Sequence, residues 1–139
     1  MKVATPATLR QFAVAVLVAA IVFLLLDASW LTIMASRLYR PALGHVMRED
    51  FYAPAALAFY AIYFTGLVSF VVTPAARPRA ALARGALFGL VCYATYDLTN
   101  QATIVAWPWR VTLIDLAWGS FVSAASAWAA CCVVRRRRA

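Results

Sequence analysis

Three of the five acidic residues, Asp27, Asp97 and Asp115, lie inside apolar runs, in the contexts LLLDASWL, ATYDLTN and TLIDLAWG. An ionised aspartate at the centre of a membrane helix costs about 2.5 to 3.5 kcal/mol, and no Lys or Arg stands beside any of the three within its run. Such groups are retained where they do chemistry. Carboxylates in an apolar setting can exchange protons with a cationic solute, with Trp30, Trp118, Tyr93 and Tyr96 available to stack on an organic cation. They can act as a general acid and base on a lipid that arrives sideways. With Asn100 and tyrosine oxygens they can also offer hard ligands to Ca²⁺ or Mg²⁺. No motif decides among these three.

The elements that must position these groups are long apolar helices. The 139 residues are 65% apolar, with a mean hydropathy of +0.80, whereas soluble domains are usually about 45 to 50% apolar. Runs of about 20 apolar residues can cross the hydrocarbon core. Four are expected, at about 12–35, 51–73, 84–107 and 111–134, giving an all-α, four-transmembrane-helix bundle that forms a single integral membrane domain over 1–139. The tight Trp107-Pro108-Trp109-Arg110 corner makes the last two an antiparallel hairpin. A cleaved signal peptide competes for the first run, but Asp27 and Trp30 interrupt it before any convincing cleavage site.

Charge orients the bundle. With four spans, Lys2, Arg10, Arg77, Arg79, Arg84 and Arg135 to Arg138 share one side, nine basic residues against Arg37, Arg40, Arg48 and Arg110 on the other. The positive-inside rule then places both termini in the cytoplasm. Arg135 to Arg138 follow a span directly, so anionic lipid headgroups, and not nucleic acid, are their expected partners. Spacing along the helices, at about 1.5 Å per residue, puts all three aspartates in the outer half of the membrane. Tyr93, Asp97 and Asn100 share one helix face, and Asp27–Trp30 and Asp115–Trp118 are each i, i+3 pairs. The expected pocket is therefore Asp27, Trp30, Tyr93, Asp97, Asn100, Asp115 and Trp118.

Other residues carry less. Cys92, Cys131 and Cys132 form no C-x-x-C, and His45 is the lone histidine, so no metal site of that kind and no cofactor is expected. Gly85 with Gly89 and Gly119 with Ser123 are small-xxx-small pairs that permit close helix approach, within the bundle or between copies. A homo-oligomer or a membrane partner stays open. The aromatic set of the second run, Tyr60 and Tyr63 included, reads as packing.

The run Gly85 to Asn100, Trp107-Pro108, Asp115-Leu-Ala-Trp-Gly119, the early Asp27-Ala-Ser-Trp30 and the Leu38 to Gly44 stretch together resemble a bacterial family of predicted inner-membrane proteins, domain of unknown function 2177. The resemblance covers nearly the whole chain. It implies a multi-pass protein of the bacterial inner membrane and carries over no catalytic residue. Binding or proton-coupled transport of a small cationic or polar molecule is the leading expectation. A lipid-modifying membrane enzyme and a structural or accessory subunit are the alternatives.

Overall fold

Helix-favouring apolar residues without interior glycine or proline clusters give four helices among the described residues. The computed structural model describes residues 8–136, so the expectations for Lys2, Arg137 and Arg138 lie outside them. Helix α1 runs over Leu9–Leu43, α2 over Ala53–Val72, α3 over Pro78–Thr103 and α4 over Trp109–Arg136. Thr8 and Gln11 start α1 with reciprocal side-chain to backbone bonds, which satisfy amide groups the first turn leaves unpaired. Proline lies in the first turn of α2 and of α3, where its missing donor is harmless.

The first segment differs most from expectation. A single helix continues past 35 to Leu43, so Arg37 and Arg40 are helical and the connection shrinks to 44–52. The continuation passes through a wide π-helical turn at Ala35–Tyr39, where the amide of Arg40 bonds to the carbonyl of Ala35. Such single wide turns shift side chains around the axis and recur at functional sites. A second occupies Val68–Val72 at the end of α2.

Three of the helices, α1, α2 and α4, are long and apolar enough to cross a membrane among the described residues. The expected third run, 84–107, is a correction: α3 begins earlier, at Pro78, ends at Thr103 and is not one of the three. Its last turns hold Tyr93, Tyr96, Asp97, Thr99, Asn100 and Gln101, which lower its apolar content.

Contacts fix an up-down-up-down arrangement. Ala15 and Ala19 of α1, Val71 and Val72 of α2, Ala81 of α3 and Cys131 and Val134 of α4 share one core. At the opposite end, Leu38 and Leu43 pack with Trp107 and Val111. Arg135, expected to face lipid headgroups, donates to the Ala75 carbonyl at 2.7 Å and ties the end of α4 to the α2–α3 connection.

Helices α3 and α4 pack closest, because both carry small residues on the shared face. A Cβ built on Gly85 would lie 2.9 Å from Ala124 Cα, one on Gly89 would strike the Gly119 carbonyl oxygen, and one on Gly119 would strike the Tyr93 ring. The two small-residue pairs thus face each other within the chain. The α3–α4 corner is clipped by a ring of bonds: Gln101 donates to the Trp107 carbonyl, Trp107 to Thr112, and Thr112 back to Gln101.

That corner turns at Ala106, whose φ of 66° is left-handed. Glycine adopts this conformation without the Cβ penalty. Ala106→Gly should therefore raise stability by about 0.5 to 1 kcal/mol after the greater freedom of glycine in the unfolded chain is deducted. Thermal unfolding in detergent reads this, and a lower melting temperature would contradict it.

Candidate functional site

Each aspartate continues the buried stripe of its helix at a place where the pattern calls for an apolar residue. On α1 the stripe is Ala15, Ala19, Phe23, then Asp27. On α3 it is Ala81, Gly85, Gly89, then Tyr93 and Asp97. On α4, Asp115 lies between Val111 and Gly119. The four-residue spacing keeps these positions on one face, so the packing that builds the core also drives the carboxylates inward. Asp97 is fully buried, Asp115 is 8% exposed, and Asp27 is half-buried.

Two of the three are held by neutral donors. The Tyr60 hydroxyl donates to Asp27 Oδ2 at 3.1 Å and the Trp118 indole to Asp27 Oδ1 at 3.3 Å. The Tyr39 hydroxyl donates to Asp115 Oδ1 at 2.6 Å while accepting from the Trp30 indole at 2.9 Å. The rings of Trp30 and Trp118 then stack, with centroids 4.2 Å apart and planes 9° from parallel. One connected structure results, Tyr60–Asp27–Trp118 stacked on Trp30–Tyr39–Asp115.

This pairing is crossed. The i, i+3 spacing places each tryptophan beside the aspartate of its own helix, but Trp118 of α4 serves Asp27 of α1, and Trp30 of α1 reaches Asp115 of α4 through Tyr39. The crossing latches α1 to α4 from both sides.

Four of the seven expected residues, Asp27, Trp30, Asp115 and Trp118, join in this network. Tyr93 stacks against the Gly119 backbone, one turn from Asp115 on α4. Asp97 lies one turn beyond Tyr93 on the same face of α3, yet neither of its oxygens meets a hydrogen-bond donor among the described residues. Asn100 stands one turn on, beside Tyr96, outside the network. The expected set omits Tyr39 and Tyr60. Tyr60 stands four residues from Phe64 and inside an aromatic run, which masks its hydroxyl; Tyr39 follows Arg37 in a stretch that reads as loop.

A lateral cleft of about 400 Å³ adjoins the network between α2 and α3, lined by Phe59, Tyr63, Cys92, Tyr93 and Tyr96. Tyr93 is its one residue in common with the expected pocket. Tyr63 turns its hydroxyl to Ser123 of α4, 2.5 Å away.

A family model described as "Predicted membrane protein (DUF2177)" matches residues 12–132. The chain belongs to this family. No curated protein and no solved structure matches it. The matched DUF2177 region contains all three membrane aspartates, both tryptophans of the stack, and Tyr39 and Tyr60. As a DUF2177 member the chain is a predicted multi-pass membrane protein, and the family description assigns it no reaction.

Proposed function

We propose that the protein is a four-span bacterial inner-membrane protein that binds a small cationic molecule at the acidic and aromatic cluster and exchanges it for a proton at Asp97. The observation that carries this reading is Asp97 itself, fully buried with neither oxygen partnered among the described residues. A buried carboxylate without a hydrogen-bond partner is costly, and a proton or a cation that reaches it offsets that cost. Asp27 and Asp115, by contrast, each accept hydrogen bonds from hydroxyl or indole donors.

Helix α3 serves as the fourth span in this reading. Its 26 residues match the length of a span, and its polar residue Asp97 faces inward against α4. The excess of basic residues at the end that holds Arg10, Arg77, Arg79, Arg84 and Arg135 supports cytoplasmic termini. A reporter enzyme that is active only in the periplasm, fused after Ala139, should be silent, and one fused within 44–52 should be active. The reverse pattern would invert the topology.

The exchange is tested in liposomes that enclose a pH-sensitive dye. Addition of an organic cation should drive proton movement through wild-type protein, and Asp97→Asn should reduce it to the level of empty liposomes. Proton movement that survives Asp97→Asn would remove Asp97 from the role.

A further inference from the structure

The cleft between α2 and α3 names the class of molecule that reaches the acids. Helix α2 leans toward α1, where Tyr60, Tyr63 and Phe64 pack around Phe23 with ring centroids 5.2 to 6.2 Å apart. It meets α3 deeper, where Gly66 approaches Phe88 and Tyr63 packs edge-on against that ring. Above this contact the two helices part and leave the aromatic cleft.

Two of the cleft's lining residues link its apolar wall to the carboxylates. Tyr93 lies one turn before Asp97 on the same face of α3 and its ring lies against Gly119, one turn from Asp115 on α4, while Tyr96 directly precedes Asp97. The described donors to Asp27 and Asp115 are neutral, and Asp97 has none, so among the described residues no side-chain cation bonds to the acids. A ligand that complements both parts carries a positive charge on an apolar, ring-bearing body.

We infer that the α2–α3 cleft is a lateral entry site for a lipophilic organic cation dissolved in the membrane, its apolar body against Phe59, Tyr63 and Tyr96 and its charge toward Asp97 and Asp115. This rests on the cation-exchange reading and adds the substrate class and the route. Aromatic faces stabilise such a cation directly, and rings of this size bury it at little cost in side-chain freedom.

The test uses full-length protein in nanodiscs of phosphatidylcholine and phosphatidylglycerol, with tetraphenylphosphonium and tetramethylammonium as probes. Tetraphenylphosphonium should bind at least about tenfold more tightly than tetramethylammonium, because the latter carries the same charge with only four methyl groups of apolar area. Cys92→Trp, which fills the cleft, should weaken tetraphenylphosphonium by about tenfold or more and leave tetramethylammonium unchanged. Tyr96→Ala, on an exposed side chain, serves as a second variant that folding should tolerate, and it should weaken tetraphenylphosphonium more than tetramethylammonium.

If Asp97→Asn abolishes binding of both probes while the two cleft variants change neither, the lateral site is overturned and the exchange reading stands. Binding that ignores Asp97→Asn and Asp115→Asn together overturns both. Binding of tetraphenylphosphonium that vanishes when phosphatidylethanolamine is added would make the lipid headgroup the occupant and would overturn the lipophilic-cation assignment.

Discussion

Replacement of Gly89 by leucine is expected to abolish the folded protein, at a cost above about 3 kcal/mol. Overpacking a well-filled core typically costs about 1 to 3 kcal/mol when neighbours can shift. At Gly89 they cannot, because even a Cβ would collide with the Gly119 carbonyl oxygen and the Ser123 hydroxyl, and the first belongs to the backbone of α4. Relief requires α3 and α4 to separate, which would also pull Tyr93 from Gly119 and open the space around Asp97. Gly66→Ala supplies the contrast. Its Cβ would meet the far edge of the Phe88 ring at 3.4 Å and the Phe70 ring at 3.9 Å, ordinary contacts with side chains, and alanine favours the helix by about 1 kcal/mol, so that variant should be neutral or slightly more stable. Size-exclusion profiles and melting curves in detergent distinguish the two. Equal behaviour of Gly89→Leu and Gly66→Ala would refute the close-approach account.

Tyr39→Phe is the second large effect, and it is expected to cost about 1 to 3 kcal/mol. Interhelical hydrogen bonds in membranes are worth only about 0.6 kcal/mol on average, since the separated helices find other partners. Tyr39 departs from that average because one hydroxyl serves two groups. Its loss leaves Asp115 without its described side-chain donor and the Trp30 indole without its acceptor, both in partly or fully buried positions. Tyr60→Phe should cost less, because Asp27 keeps the Trp118 donor. Melting temperatures in detergent test the order. A smaller loss for Tyr39→Phe than for Tyr60→Phe would show that the double role has no energetic weight.

The sequence carries the helices well and the network only in part. Length and apolar content identify α1, α2 and α4, while α3 is blurred by the same polar residues that make it interesting, from Tyr93 to Gln101. The three aspartates stand out because charge in an apolar run is rare and its cost is calculable. Tyr39 does not, because its reach depends on the π-helical turn at Ala35–Tyr39, and a one-residue widening of a helix has no residue signature comparable to proline or glycine.

The crossed partnership of the tryptophans is hidden for a related reason. Spacing within a helix states which residues share its face, but the rotation of α1 against α4 decides which indole meets which carboxylate. The glycine pairs are legible as sites of close approach and the Trp107-Pro108 corner as a hairpin, but that the two pairs face each other depends on the rotation of α3 against α4, which spacing does not state.

The stacked Trp30 and Trp118 rings have a consequence outside binding and stability. Two indoles whose centroids lie 4.2 Å apart with planes 9° from parallel absorb light as a coupled pair, and the sign and strength of their circular-dichroism couplet depend on separation and twist. One ring rides on α1 and the other on α4. The native chain thus contains an optical gauge of how those two helices are registered, readable without a label while a cation or a proton is added.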